Sequence, residues 1–299
     1  MIRYSYFPGC ATESTAKSTH LANEFVMGKI GVDLIEIKDW NCCGATSAHT
    51  LSDALGLALP ARSLARAESD YPEYDIVTGC ASCYARLKLT MHKVRNDSGA
   101  KYMVEKILQK PYEANREVYN FLDILSRDDI RQNIIDNIFR KFKKLNVACY
   151  YGCLNIRPAE VTGATDRENP MSMDEIVALT GATPVDWSYK TECCGAAHQN
   201  DAAAESRPLV WRILDNAIAN GADMIITACP MCSMNLEMRQ GEYVKKRESK
   251  TIPILSLTEL LAISMGAGGQ RLELQSHHVP VSEAINIGLL GDNEREVAI

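Results

Sequence analysis

At 299 residues, with 46% hydrophobic and 23% charged residues, the chain is long enough for two domains with real cores and too apolar to be disordered. Its net charge of -6 gives no electrostatic reason to bind nucleic acid or an anionic membrane surface. No apolar run approaches the roughly 18 residues of a membrane span, and the opening residues lack the apolar core and cleavage site of a signal peptide, so a cytoplasmic location is expected.

Residues 2–7 (Ile-Arg-Tyr-Ser-Tyr-Phe) read as a strand by their aromatic and β-branched content, stopped by Pro8-Gly9 before Cys10. Leu21/Phe25 and Ala22/Val26, four apart, predict a helix over about 14–30 that ends at Gly31. Residues 32–37 form the next strand and lead to Cys42-Cys43-Gly44. Leu51, Ala54, Leu55 and Ala58 mark a helical stretch, in which Pro60 makes a kink or opens a second helix. Residues 74–78 are a short buried strand; after Gly79, Cys80-Ala-Ser-Cys83 opens a helix with Tyr84, Leu87, Met91 and Val94 on one face. Residues 99–145 read as a polar helical connector, broken at Pro111 and striped with Ile130, Ile134 and Ile138. Arg140, Lys141, Lys143 and Lys144 are read as favourable charge closing its last helix rather than as a binding patch.

The second half repeats the first. Residues 145–151 match the opening strand and end at Gly152-Cys153; a helix over about 173–180 and a strand over 183–187 lead to Cys193-Cys194-Gly195. Pro208 precedes a helix stopped by Asn220-Gly221, residues 224–227 are a buried strand, and Cys229-Pro-Met-Cys232 opens the next helix. A duplicated unit is the simplest account. The halves differ after Cys153, where a polar loop over 154–170 with Arg157 and Arg167 is either a surface connection or a substrate lid. Residues 266–299 form a tail too apolar for a free end, expected to pack on this chain or a partner. His277 and His278, adjacent and without a third ligand, read as surface residues.

The expected fold is therefore α/β, with two pseudo-symmetric Rossmann-like halves at 1–98 and 146–265, a connector at 99–145 and the tail. In parallel sheets ligands gather beyond the carboxyl ends of the strands, and that is where the cysteines fall. Those near helix N-termini are expected to have depressed pKa values. Ten of the eleven cysteines form two quintets: Cys10, Cys42, Cys43, Cys80 and Cys83, then Cys153, Cys193, Cys194, Cys229 and Cys232. In a reducing compartment such a set points to metal or catalysis rather than disulfides. A structural zinc and a cubane iron–sulfur cluster each take four ligands, so each quintet has one too many. Either one thiol per half is free and reactive, or each half holds a larger, non-standard cluster.

The frame of a lone cysteine, Cys-Cys-Gly and C-x-x-C, with Tyr-Phe-Pro-Gly-Cys10 and Glu192-Cys-Cys-Gly-Ala196, resembles the CCG-domain family. Two copies in a chain of this size resemble the B subunits of heterodisulfide reductases of methanogens, over nearly all of residues 1–265. The resemblance implies that each quintet holds a non-cubane 4Fe-4S cluster. The heterodisulfide of coenzyme M and coenzyme B would sit between the halves and be reduced to two thiols by one electron from each cluster. It implies a ferredoxin-like C subunit with cubane 4Fe-4S clusters and a flavin-containing A subunit as partners, with a hydrogenase or formate dehydrogenase upstream. For the anionic groups of such a substrate, the basic residues near cluster cysteines in sequence are Arg157, Lys190 and Arg207; His198 and His49 are the candidate proton donors, each weighed against an ordinary hydrogen-bonding role. Three alternatives stay open: an electron-transfer subunit of a flavin dehydrogenase or quinone complex, a bacterial relative acting on another disulfide, and a zinc-stabilised protein without redox chemistry.

Overall fold

The computed structural model describes residues 1–198 and 202–289. Within these, strands β1 (Ile2–Phe7), β2 (Val32–Glu36), β3 (Ile76–Thr78) and β4 (Val118–Asn120) form one parallel sheet in the order β2-β1-β3-β4. Strands β5 (Asn146–Tyr150), β6 (Thr183–Pro184), β7 (Met224–Thr227) and β8 (Ile254–Ser256) form a second in the order β6-β5-β7-β8. The two sheets share one topology, with helices between successive strands, so the chain is α/β with two matching halves as expected. In each sheet the connections reverse direction beside the first strand, at β1/β3 and β5/β7, which opens a crevice at the carboxyl ends.

The fourth strand of each sheet departs from the sequence expectation. The span 99–145, expected to be helical throughout, contains β4, which pairs Val118 with Ile76. Asn120 then caps the helix Phe121–Leu125, in a box with Asp123. In the second half β8 ends at Ser256, which caps the helix Leu257–Ser264 in a box with Glu259. The helix of the connector stops at Asn137, before the basic cluster. The amides of Phe139 and Arg140 both donate to the Ser264 carbonyl, that of Phe142 to Thr180 and that of Lys143 to Gly288, so this stretch is an extended ribbon against other helices. The basic residues therefore do not close a helix of their own. Pro208 lies inside the helix Ala203–Ala219 rather than before it, as Pro60 lies inside Asp53–Asp70.

Two hydrophobic cores hold the molecule, and each draws on both halves. One joins Tyr4, Val26 and Phe121 to Val147, Ile226 and Leu260; the other joins Phe7, Leu64 and Tyr84 to Tyr150, Ile213 and Leu236. The part of the expected tail within the described residues, to 289, packs on this chain through Leu272, Leu274, Val281 and Ile285. His277 is not a surface residue: its side chain is 7% exposed, with Nδ1 at 2.6 Å from Glu237 and Nε2 at 3.2 Å from Glu259. Adjacent histidines carry no signal of burial in the sequence, and the two carboxylates that hold this one come from distant elements.

Burial pushes the His277 imidazole down, and hydrogen bonds to Glu237 and Glu259 outweigh it, carrying its pKa up to about 10. Burial likewise raises Glu259, and its bonds with His277 and the Ser256 amide turn the net shift downward. A raised histidine stabilises fully below its ordinary value of 6.5 and loses that contribution as pH climbs towards 10. A lowered glutamate stabilises fully above its ordinary 4.5 and loses that as pH falls. Tail docking is therefore strongest between these two ordinary values. Thermal unfolding from pH 6 to pH 10 should show the wild type losing more stability than His277→Gln; parallel curves would contradict the pairing.

Candidate metal centre

Local chemistry delivers each cysteine. Cys10 and Cys153 follow β1 and β5 across Gly9 and Gly152, both at positive φ (83° and 70°), where a Cβ would stand 3.0 Å from Cys83 Sγ and 3.4 Å from Cys232 Sγ. The glycines let the backbone pass close to the sulfurs. In each tandem pair the following glycine (Gly44 at 71°, Gly195 at 74°) turns the chain and donates its amide to the sulfur two residues back, at 3.4 Å to Cys42 and 3.3 Å to Cys193. Cys80 and Cys229 sit at the N-caps of the helices Ala81–Asn96 and Pro230–Met238, which put Cys83 and Cys232 in their first turns.

All ten cysteines line one void of about 360 Å³ between the halves. The sulfurs stand in pairs around it: Cys10 and Cys42 at 3.8 Å, Cys43 and Cys83 at 3.4 Å, Cys194 and Cys232 at 3.4 Å. Cys153 pairs with Cys193, and across the halves Cys80 meets Cys229. Among the described residues no three His, Cys, Asp or Glu side chains are grouped about a point to hold a single ion. Cys10, Cys42 and Cys193 are exposed and Cys153 is half-buried; the other six are buried. Cys149, outside both quintets, is buried in β5.

Thiols in contact cannot all ionise. The Cys10 thiol lowers Cys42, and the Cys153 thiol, the Gly195 amide and His198 lower Cys193, while their partners Cys10 and Cys153 are held up. Of the two cysteines at helix N-termini, only Cys229 is depressed, by Cys232 and Cys80 and by the amides of Cys232 and Ser82; its contact pushes Cys80 up, against expectation. The potential metal donors lining the void are the ten cysteine sulfurs and the His49 imidazole, with no carboxylate among its walls. Such a soft, electron-rich set suits iron–sulfur ligation, and five thiols per half exceed what a tetrahedral ion takes.

The other anticipated residues divide. Arg157 and His49 line the void; Arg157 donates to the Thr191 carbonyl at 3.2 Å and pairs with Glu168. His198, on the turn Ala196–His198, acts on Cys193 but is not part of the wall. Lys190 is turned away and buried, its ammonium 2.9 Å from Asp174. Arg207 pairs with Glu242 at 3.0 Å, also away from the void. Sequence proximity to a cysteine did not decide orientation. Arg86, not anticipated, does line the void. It lies three residues after Cys83 on the same helix, and that i, i+3 spacing was the available signal.

The profile of the cysteine-rich CCG domain matches residues 4–88 and 147–237. The chain is 30% identical over 280 residues to the 8-methylmenaquinol:fumarate reductase membrane anchor subunit of Wolinella succinogenes, covering 92% of this chain and 96% of that one. It is 27% identical over 288 residues to the B subunit of the ferredoxin/F420H2-dependent CoB–CoM heterodisulfide reductase of Methanosarcina acetivorans, covering 93% and 94%. A crystal structure of a hypothetical protein from Helicobacter pylori shares the fold, with a TM-score of 0.69 at 16% identity over 94% of this chain, which spans about half (52%) of that longer one. No helix among the described residues is long and apolar enough to cross a membrane.

Proposed function

Because the chain belongs to the cysteine-rich CCG family and carries its cysteine set twice, we propose that it is the iron–sulfur subunit of an oxidoreductase complex that reduces a disulfide. One cluster would be held by Cys10, Cys42, Cys43, Cys80 and Cys83, the other by Cys153, Cys193, Cys194, Cys229 and Cys232, both non-cubane and of the 4Fe-4S type. The observation that carries this is the single void lined by all ten cysteines. A disulfide has two sulfurs and takes two electrons and two protons to become two thiols, which matches two facing one-electron centres. When bound, the clusters supply those single electrons.

The chain's own residues do the rest. Leu89, Leu154, Pro158 and Met231 give the void apolar walls, and Arg86 and Arg157 offer guanidinium groups to anionic arms of a substrate. His49, at the wall, is placed to hold a proton for a departing thiolate. The Methanosarcina relative supports the coenzyme M–coenzyme B heterodisulfide as that substrate; in this reading partner subunits would bring cubane clusters and a flavin. The similarity to the Wolinella subunit favours a second reading, in which the same centres relay electrons between a quinol and a dehydrogenase.

Iron, acid-labile sulfide and zinc should be measured on anaerobically purified protein. About eight irons and as many sulfides per chain are expected for two four-iron clusters, with Cys43→Ser and Cys194→Ser each losing about half. Zinc without sulfide would end the redox reading. Turnover with the heterodisulfide against turnover with a menaquinol analogue then separates the two readings.

A further inference from the structure

The halves match in topology, yet their centres differ in charge at one pair of equivalent positions. Three residues after the second cysteine of each C-x-x-C stand Arg86 and Asn235. Arg86 lines the void and acts on Cys43. One of its nitrogens donates to the Gly56 carbonyl at 2.6 Å, its Nε makes no hydrogen bond, and no carboxylate pairs with it among the described residues. Asn235 is neutral and 1% exposed, and its Nδ2 donates to the carbonyl of Cys194, the counterpart of Cys43, at 2.7 Å. The other guanidinium at the void, Arg157, has a carboxylate partner, Glu168 at 3.2 Å. Near Cys193, His198 is opposed by Glu192. Water access differs in the same sense: Cys10 is exposed where its counterpart Cys153 is half-buried.

We propose that Arg86 makes the two centres inequivalent, so that electrons settle first on the centre of the first half. This rests on the reading of both quintets as iron–sulfur sites. Each electron added makes such a centre more negative. An unpaired cation and contact with water both stabilise the more negative state, and charge, hydrogen bonds and exposure set the potentials of these clusters. A twofold-related pair of sites thus has a built-in order of filling. Arg86 acts here as a positioning charge rather than as a group that touches the reacting atoms.

The test is a dithionite titration of the anaerobic full-length protein followed by low-temperature electron paramagnetic resonance. Signals are assigned by which one disappears in Cys43→Ser and which in Cys194→Ser. The signal lost with Cys43 should appear at the higher potential. Arg86→Gln should lower that midpoint and leave the other in place, while Arg86→Lys, which keeps the charge, should retain the wild-type order. The reverse order in the wild type would overturn the proposal, as would an unchanged midpoint in Arg86→Gln with iron content intact. If Arg86→Gln sheds iron, the wild-type order and the lysine variant decide. Protein with no iron and sulfide would overturn the cluster reading itself, a result distinct from an inverted order.

Discussion

Lys190→Ala should destabilise the fold by about 3–5 kcal/mol, the cost of leaving a buried charge without its partner. The Lys190 side chain is 2% exposed, and its ammonium touches Asp174 at 2.9 Å, the Pro170 carbonyl at 3.3 Å and Met171 Sδ at 3.2 Å. Asp174 would keep the Tyr151 hydroxyl, at 2.7 Å, and the weak Cys149 thiol, with no cation to balance a carboxylate in the interior. The carbonyl of Lys190 itself accepts the amides of Tyr151 and Gly152, at 2.9 and 3.2 Å. Lys190 thus ties the segment leading to Cys153 to the one leading to Cys193. Urea unfolding should give the loss, and iron content should fall selectively in the second half. The double variant Lys190→Met/Asp174→Leu should recover most of the stability, because it removes both charges together. A double variant no better than the single would show that the pair is not the cause.

Gly44→Ala should cost about 2–5 kcal/mol and empty the first centre. At φ 71° an L-residue pays about 1–2 kcal/mol for the left-handed conformation. The new Cβ would also stand 2.6 Å from Ala48 Cβ and 2.9 Å from Leu59 Cδ1, an overpacking that adds about 1–3 kcal/mol. Relief by rotating the turn would take the amide away from Cys42. Gly195→Ala should be milder in packing, since its nearest neighbour, Ser206 Oγ, lies at 3.0 Å. Gly28→Ala is the control: it lies in the helix Lys17–Lys29 with nothing within 4 Å of its Cβ, and should be neutral or stabilise by up to ~1 kcal/mol. Denaturation midpoints and iron content should rank the three; a Gly44→Ala protein with full stability and full iron would refute the account.

The cysteine frame was legible because turn glycines and the spacing of C-x-x-C are local features, and the strands that deliver them are short apolar runs bounded by glycine. Strands β4 and β8 were not legible as strands: β3, equally short, is set off by Gly79, whereas these two run straight into the helices that Asn120 and Ser256 cap. The boxes that follow them, Asn120-x-x-Asp123 and Ser256-x-x-Glu259, were nonetheless in the sequence and mark where each strand ends. The basic ribbon over 139–144 mimics a helix end in sequence because its hydrogen-bond partners, Ser264, Thr180 and Gly288, lie far along the chain. Lys190 and Arg86 make the same point for the site. Each lies three residues from a cysteine in sequence, so nearness does not separate Lys190, which faces Asp174, from Arg86, which faces the void.

The sharing of both hydrophobic cores between the halves bears on ancestry. A single CCG unit of this design would leave two apolar faces open to water, and a symmetric homodimer of such a unit would cover them, each copy completing the other. Two units in one chain make that interface intramolecular. They are also free to differ in sequence. A homodimer cannot hold arginine at one of two equivalent positions and asparagine at the other; a fused chain can, as Arg86 and Asn235 do here.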